Sequence, residues 1–367
     1  MMADALKDSL YGPVFIDELG KALAAVYPEF DQDRFHQFIY DAEWAGRALK
    51  QRTRHVTTVV HSLLPAEYRT ALAILRAAAP RLVEHSYASI FMPDFVEVYG
   101  LDDWETSLPA LAYFTPFSSA EFAVRPFILR DPVRMMAQMV AWADDPNHHI
   151  RRLASEGCRP RLPWGMALVA FKQDPAPILP ILERLKDDPQ EYVRRSVANN
   201  LNDIAKDNPG VVIDLLRCWQ PGASPDRQWV IKHALRTLLK QGQGDALNLL
   251  GYEGGAEVMV RDFHLNAASV VLGAEITFSF TLESTSAEDQ NVMLDYVVYY
   301  HKANGKLAPK VFKLSAFQLG AGESRSFQRR LSFRPISTRV YYPGPHQVAL
   351  QINGFEQGGL VFELTGD

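Results

Sequence analysis

The side chains best suited to chemistry lie between positions 118 and 236. Glu121, in PFSSAEFAVRPF, follows Ser118 by three residues. That is the spacing of a capping box, in which the carboxylate bonds back to the start of its own helix. The same placement also fits a carboxylate held near a helix N-terminus beside a cleft. Trp164 closes RPRLPW, a proline-containing loop shared with Arg159 and Arg161. Core packing is the common fate of tryptophan, but guanidinium beside indole suits backbone phosphates and a cationic or stacked base. Asp203, in VRRSVANNLNDIAKDNP, stands one i,i+4 step after Asn199 and on a face related to Asn202 and Arg195. Such a polar run is either the solvated side of a helix or the lining of a cleft. Helical spacing sets Trp229, Lys232, His233 and Arg236 on one side of a further helix, with Lys232 and Arg236 suited to phosphates.

No Walker loop, GxGxxG, HExxH, GxSxG or paired CxxC occurs, which leaves nucleotide-dependent transfer, zinc peptidase chemistry and serine hydrolysis without support. Two cysteines, Cys158 and Cys218, are too few for a disulfide framework or a four-thiolate zinc site. Neither metal nor cofactor is expected. No apolar run reaches the ~18 residues of a membrane span, and MMADALKDSLYGPVF lacks the pattern of a secretory signal. A cytoplasmic protein with no membrane partner is the expectation. The net charge is −5 over 367 residues, but its distribution is uneven. Residues 1–147 carry 13 Lys/Arg against 20 Asp/Glu, whereas residues 148–242 carry 15 against 10. Between 300 and 340 nine basic residues face a single acid, Glu323. Two basic stretches on an acidic protein either face one polyanion or are solvated surfaces.

These residues need elements to position them. Up to about residue 250 the chain reads as helices punctuated by Pro, Asp and Gly. Three segments look alike: DDPNHHIRRLASEG, DDPQEYVRRSVANNL and SPDRQWVIKHALRTLL. Aligned on Ile150, Val193 and Ile231 they recur after 43 and 38 residues, each with an acidic, proline-containing turn and then a basic pair. A period near 40 with two helices per unit marks HEAT-like repeats, whose stacking turns equivalent basic residues into a stripe. After the Gly251–Gly255 stretch, seven segments alternate apolar and polar residues, as in an immunoglobulin-like β-sandwich. The predicted organisation is a mainly α HEAT-like solenoid at residues 1–250, followed by an immunoglobulin-like sandwich at 256–367. By composition and repeats alone, such a chain also reads as a non-enzymatic scaffold for a protein or nucleic-acid partner.

The strings LPALAYFTPFSSAEFAVRPF, HHIRRLASEGCRPRLPW, EYVRRSVANNLNDIAKDNP and WVIKHALRTLLKQG resemble the AlkC-type DNA alkylation-repair glycosylases of the HEAT-like-repeat superfamily, relatives of AlkD. FDQDRFHQFIYDAEWAGRALKQRTRHVTTVVHSLLP fits the same family, so the resemblance covers roughly residues 5–250. It implies a monomeric, monofunctional glycosylase without lyase activity, acting on duplex alkylated DNA. The implied targets are cationic N3-alkylated bases, 3-methyladenine and 3-methylcytosine, removed without full base flipping to leave an abasic site. Matched residue by residue, it implies Glu121 and Asp203 as the catalytic acids of one shared hollow and Trp164 as the lesion-contacting aromatic. Arg152, Arg159, Arg161, Arg195, Asn199, Lys232 and Arg236 match groups placed for DNA. The sandwich resembles an extra domain of some members, expected to assist DNA binding.

Overall fold

The computed structural model describes residues 2–252 and 255–366; Glu253 and Gly254, in the expected linker, lie outside the described residues. Contacts divide the chain into two compact units. One holds residues 1–208 and 223–234, and the other holds 209–222 and 235–367.

The first unit is helical, and local sequence explains its boundaries. Asp131 caps the Pro132–Trp142 helix by accepting the Arg134 amide at 3.0 Å, with proline supplying the first helical φ. The basic segments form the His148–Gly157, Glu191–Ile204 and Pro225–Ala234 helices, and these pack side by side in that order. They bury Leu153 and Ala154, then Val193, Val197 and Leu201, then Val230, Ile231 and Ala234. Equivalent helices of the repeated segments are therefore neighbours.

The repeated acidic turn and the first residue of each basic pair have a shared structural use. Arg151 donates to both oxygens of Asp188, at 2.6 and 3.1 Å, and to the carbonyls of Asp145 and Pro146. Arg194 repeats the pattern one unit on, donating to the carbonyls of Asp188 and Pro189 and pairing with Asp226 at 2.9 Å. Each arginine thus ties its own turn to the turn of the next unit. In these two pairs the first residue is committed to the staple and the second, Arg152 or Arg195, is not.

The helix expected to carry Trp229 through Arg236 is shorter than the sequence suggests. It ends at Ala234, and Arg236–Lys240 is a separate helix belonging to the second unit. Leu235 stands between them as the N-cap of the second helix, its carbonyl accepting the Leu239 amide at 2.9 Å.

In the second unit, eight strands form two sheets: β1 (Val258–Leu265), β2 (Ser269–Val271), β3 (Glu275–Ser284), β4 (Gln290–His301), β5 (Leu307–Leu319), β6 (Ser324–Ser332), β7 (Gly344–Ile352) and β8 (Phe355–Thr365). Their orders are β1-β3-β6 and β2-β8-β7-β4-β5. Seven strands answer to the seven alternating segments. The addition, β2, pairs parallel to β8 and is three residues long, too short for alternation to show in sequence. Inward-facing Phe278, Phe280, Leu282, Leu294, Val298, Val348, Leu350 and Phe362 make one core. The helices at Arg236–Lys240 and Gly244–Leu249 belong to this unit. Here Gln351 donates to the Lys240 carbonyl at 3.3 Å, and Gly242 approaches Gly354 too closely for a Cβ on either.

Candidate active site

Sequence-distant segments of the helical unit wall a cavity of about 820 Å³. The turn before the Val124–Arg130 helix brings Ser119, Glu121 and Phe122; the His148–Gly157 helix brings Arg152; the following loop brings Trp164. Leu49, Lys50 and Arg54 enter from the Leu49–Leu63 helix, and Tyr192 from the Glu191–Ile204 helix.

Glu121 does not cap its helix. Ala123 is the N-cap and makes no side-chain bond, while the Glu121 carboxylate accepts from Ser119 Oγ at 2.9 Å and from Arg152. Arg152 also donates to Ser119 at 2.8 Å, closing a triangle that leaves the carboxylate facing the cavity. The Tyr192 ring lies 5.0 Å from the Arg152 guanidinium.

Trp164 is 66% exposed, so the core reading does not hold for it. Its φ of +63° lies in the left-handed region, uncommon for a residue of this bulk, and the loop that carries it has a packed floor. That floor is Arg125, fully buried, which donates to the Met166 carbonyl at 2.7 Å and the Gly157 carbonyl at 2.8 Å. Burial pulls this guanidinium down to about 10.

Asp203 is placed differently. It is 2% exposed and does not line the cavity. Arg159 grips it through Nε at 2.8 Å and Nη2 at 2.7 Å, and Lys206 pairs with it at 2.9 Å. Between the two acids runs an alternating ladder. Arg152 reaches from Glu121 to Glu156, at 3.4 Å, and Arg159 reaches from Glu156, at 2.6 Å, to Asp203. Ser196 closes the fourth side by donating to Glu156 at 2.6 Å. Glu121, Arg152 and Trp164 thus share the hollow, whereas Asp203 is joined to it through two arginines and Glu156.

The remaining basic residues divide by engagement. Arg159 is buried and committed to the ladder. Arg161 pairs with Asp207 at 2.6 Å, and Arg195 pairs with Glu191 on its own helix. Lys232 is exposed, beside a stacked Trp229–His233 pair whose rings lie 4.8 Å apart. His233 meets Asn199 at 3.3 Å. Arg236 lies in the second unit, as described above.

Sequence reasoning missed Glu156, although its i,i+4 and i,i+3 spacings to Arg152 and Arg159 announce an ion-pair run. Arg125 and Lys50 carried no such signal, because their partners lie 32 to 114 residues away. Cys158 is buried, which raises its thiol to about 12 and makes it inert. Among the described residues no group of His, Cys, Asp and Glu could hold a metal ion, and no helix is long and apolar enough to cross a membrane.

Comparison with known proteins agrees with the resemblance along the chain. Residues 259–366 match the family model for the C-terminal Ig-like domain of the uncharacterised protein YhaZ. The YhaZ protein of Bacillus subtilis (strain 168) is 43% identical over 363 residues, which covers 99% of this chain and 100% of that one. Among solved structures, the alkylpurine DNA glycosylase AlkC of Pseudomonas fluorescens, bound to DNA containing an abasic site analog, is similar with a TM-score of 0.95 and 43% identity. That match covers 98% of this chain and 99% of the other. With its helical region, its Ig-like domain and this near-complete likeness, the chain belongs to the AlkC-type family of DNA glycosylases.

Proposed function

We propose that this protein is a DNA glycosylase that hydrolyses the N-glycosidic bond of cationic N3-alkylated bases, 3-methyladenine and 3-methylcytosine, in duplex DNA. The observation that carries the reading is the convergence of Glu121, Arg152 and Trp164 on one cavity wall, in a chain so similar to a DNA-bound AlkC. N3 alkylation gives the base a positive charge, so it leaves without being protonated. As the bond breaks, charge moves to the deoxyribose, and a fixed carboxylate stabilises that oxocarbenium-like state and orients the attacking water. Glu121 fills this role, its position fixed by Ser119 and Arg152. Trp164 packs against the cationic lesion or its sugar, an attraction of ~0.5–2 kcal/mol. Asp203, the second acid, acts through Arg159, Glu156 and Arg152 rather than by touching the sugar.

The reaction needs no metal or cofactor, and the protein acts as a cytoplasmic monomer on the nucleoid without fully extruding the base. In our reading Arg152, Arg161, Arg195, Asn199, Lys232 and Arg236 serve DNA binding, with Arg159 supporting the site from within. The domain at 256–367 adds contacts through exposed Arg329, Arg330 and Arg334. Lys50 lines the cavity, and its ammonium donates to the Trp164 carbonyl at 2.6 Å; in our reading it serves that bond and not as the nucleophile of a Schiff base. The product in this reading is an abasic site in an intact strand.

The test is incubation of methylated duplex DNA with protein alone. Free 3-methyladenine should appear, strands should break only after alkali, and borohydride should trap no covalent adduct. Absence of released base defeats the reading, and spontaneous strand cleavage defeats its monofunctional part.

A further inference from the structure

Lys50 stands in the first turn of the Leu49–Leu63 helix, whose start is fixed by Gln51 reaching back to the Ala48 amide at 2.8 Å. From there its ammonium spans 114 residues of sequence to the Trp164 carbonyl, at 2.6 Å. The same ammonium lies 4.3 Å from the centroid of Phe122, the residue after Glu121. One cation therefore touches both the backbone that carries the indole and the turn that carries the carboxylate.

The Trp164 backbone needs such a partner. At φ +63° it occupies a region bulky residues adopt only when their surroundings impose it. Beneath the loop, Arg125 holds Met166 and Gly157; within it, the Gly165 amide donates to the Leu162 carbonyl at 3.1 Å and Leu168 to Pro160 at 3.2 Å. These bonds fix the flanks, and the bond to Trp164 itself comes from Lys50. A charge-assisted bond to a carbonyl is stronger than a neutral one, and it sits where the strain is.

We propose that Lys50 is a positioning residue for this reaction, holding the left-handed Trp164 backbone so that the exposed indole stands in the same cavity as Glu121. The inference rests on the cavity being a glycosylase site, and two kinds of measurement separate them. The first is hydrogen exchange of the full-length chain carrying Lys50→Met, which keeps the aliphatic stem of an exposed side chain. Amides of residues 162–168 should exchange faster while the flanking helices keep their protection. The second is a double-mutant cycle on single-turnover release of 3-methyladenine from methylated duplex. Lys50→Met should slow release about tenfold, leave affinity for abasic-site DNA nearly unchanged, and add no further loss in a Trp164→Ala background. Unchanged exchange across 162–168 overturns the proposal whatever the activity. Full additivity with Trp164→Ala, or a loss confined to DNA affinity, overturns it in favour of a direct phosphate contact. If the unaltered protein releases no base, the glycosylase reading falls, and with it the reaction Lys50 was proposed to serve.

Discussion

Glu121 and Asp203 are both carboxylates within arginine's reach, yet their surroundings assign them different work. Glu121 is bonded on one side and open to the cavity on the other, so Glu121→Gln removes a charge where the transition state develops its own. Single-turnover excision should fall by ~10²-fold or more, with the melting temperature little changed. Asp203 has no open side. Asp203→Asn removes one of the two carboxylates on the buried Arg159 guanidinium, leaving Glu156, and unpairs Lys206, and should lower stability by about 1–3 kcal/mol in denaturant titrations. If it acts through the ladder, excision by the folded variant drops as well; a stability loss with an unaltered rate would reduce Asp203 to a structural anchor. Both acids could be picked from sequence, because a carboxylate beside arginines in a polar helical run is visible there. Which of them faces a cavity was not visible, since that depends on helices 44 residues apart meeting at Arg159.

At the scale of elements, the repeated turn and basic pair serve two ends at once. The first basic residue of each of the first two pairs staples its unit to the next, through Asp188 and then Asp226. Of the second residues, Arg152 lines the cavity on Glu121, Arg195 pairs with Glu191 on its own helix and His233 meets Asn199. Asp188→Ala removes the partner of Arg151 and the acceptor for the Gln190 amide, at 2.9 Å. It should cost about 2–4 kcal/mol in chemical unfolding, with excision by the remaining folded protein preserved. The repeat period and the basic pairs were legible because each unit stores its motif within some 15 residues. The division of labour within a pair was not, since adjacent residues on a helix point about 100° apart and only packing selects which direction is the cleft.

For the whole molecule, two forms of electrostatics make separate predictions. DNA binding through phosphates should weaken linearly in log affinity against log salt. Replacing Arg329, Arg330 and Arg334 together by alanine should make that slope shallower, by about 0.9 for each phosphate no longer neutralised, as read by fluorescence anisotropy. An unchanged slope would mean that the domain at 256–367 leaves the phosphates alone. Point substitutions suit this question better than truncation at 254, because Leu235 onward belongs to the same compact unit as the strands. Asp295 gives the second prediction. Burial raises its carboxyl to about 6 against the partial opposition of Lys313 and Lys240. A folded-state value above the unfolded one favours folding while the group is protonated. Its contribution is complete below about pH 4, the ordinary aspartate value, and is lost as pH rises through about 6. Asp295→Asn should flatten that part of the profile of melting temperature against pH for the second unit.

The sequence by itself determined the element types, the change from helix to strand after residue 250, the repeated helical unit and the short list of acids, indole and arginines. All of these are written in local periodicity, proline and glycine punctuation or motifs a few residues long. Tertiary structure alone decided that Glu121 and Trp164 share a hollow while Asp203 lies buried behind two arginines. It also decided that Arg125 and Lys50, from distant segments, hold the tryptophan loop. Bonds across 32 to 114 residues leave no periodic trace along the chain, because they come into being only when separately specified helices pack together.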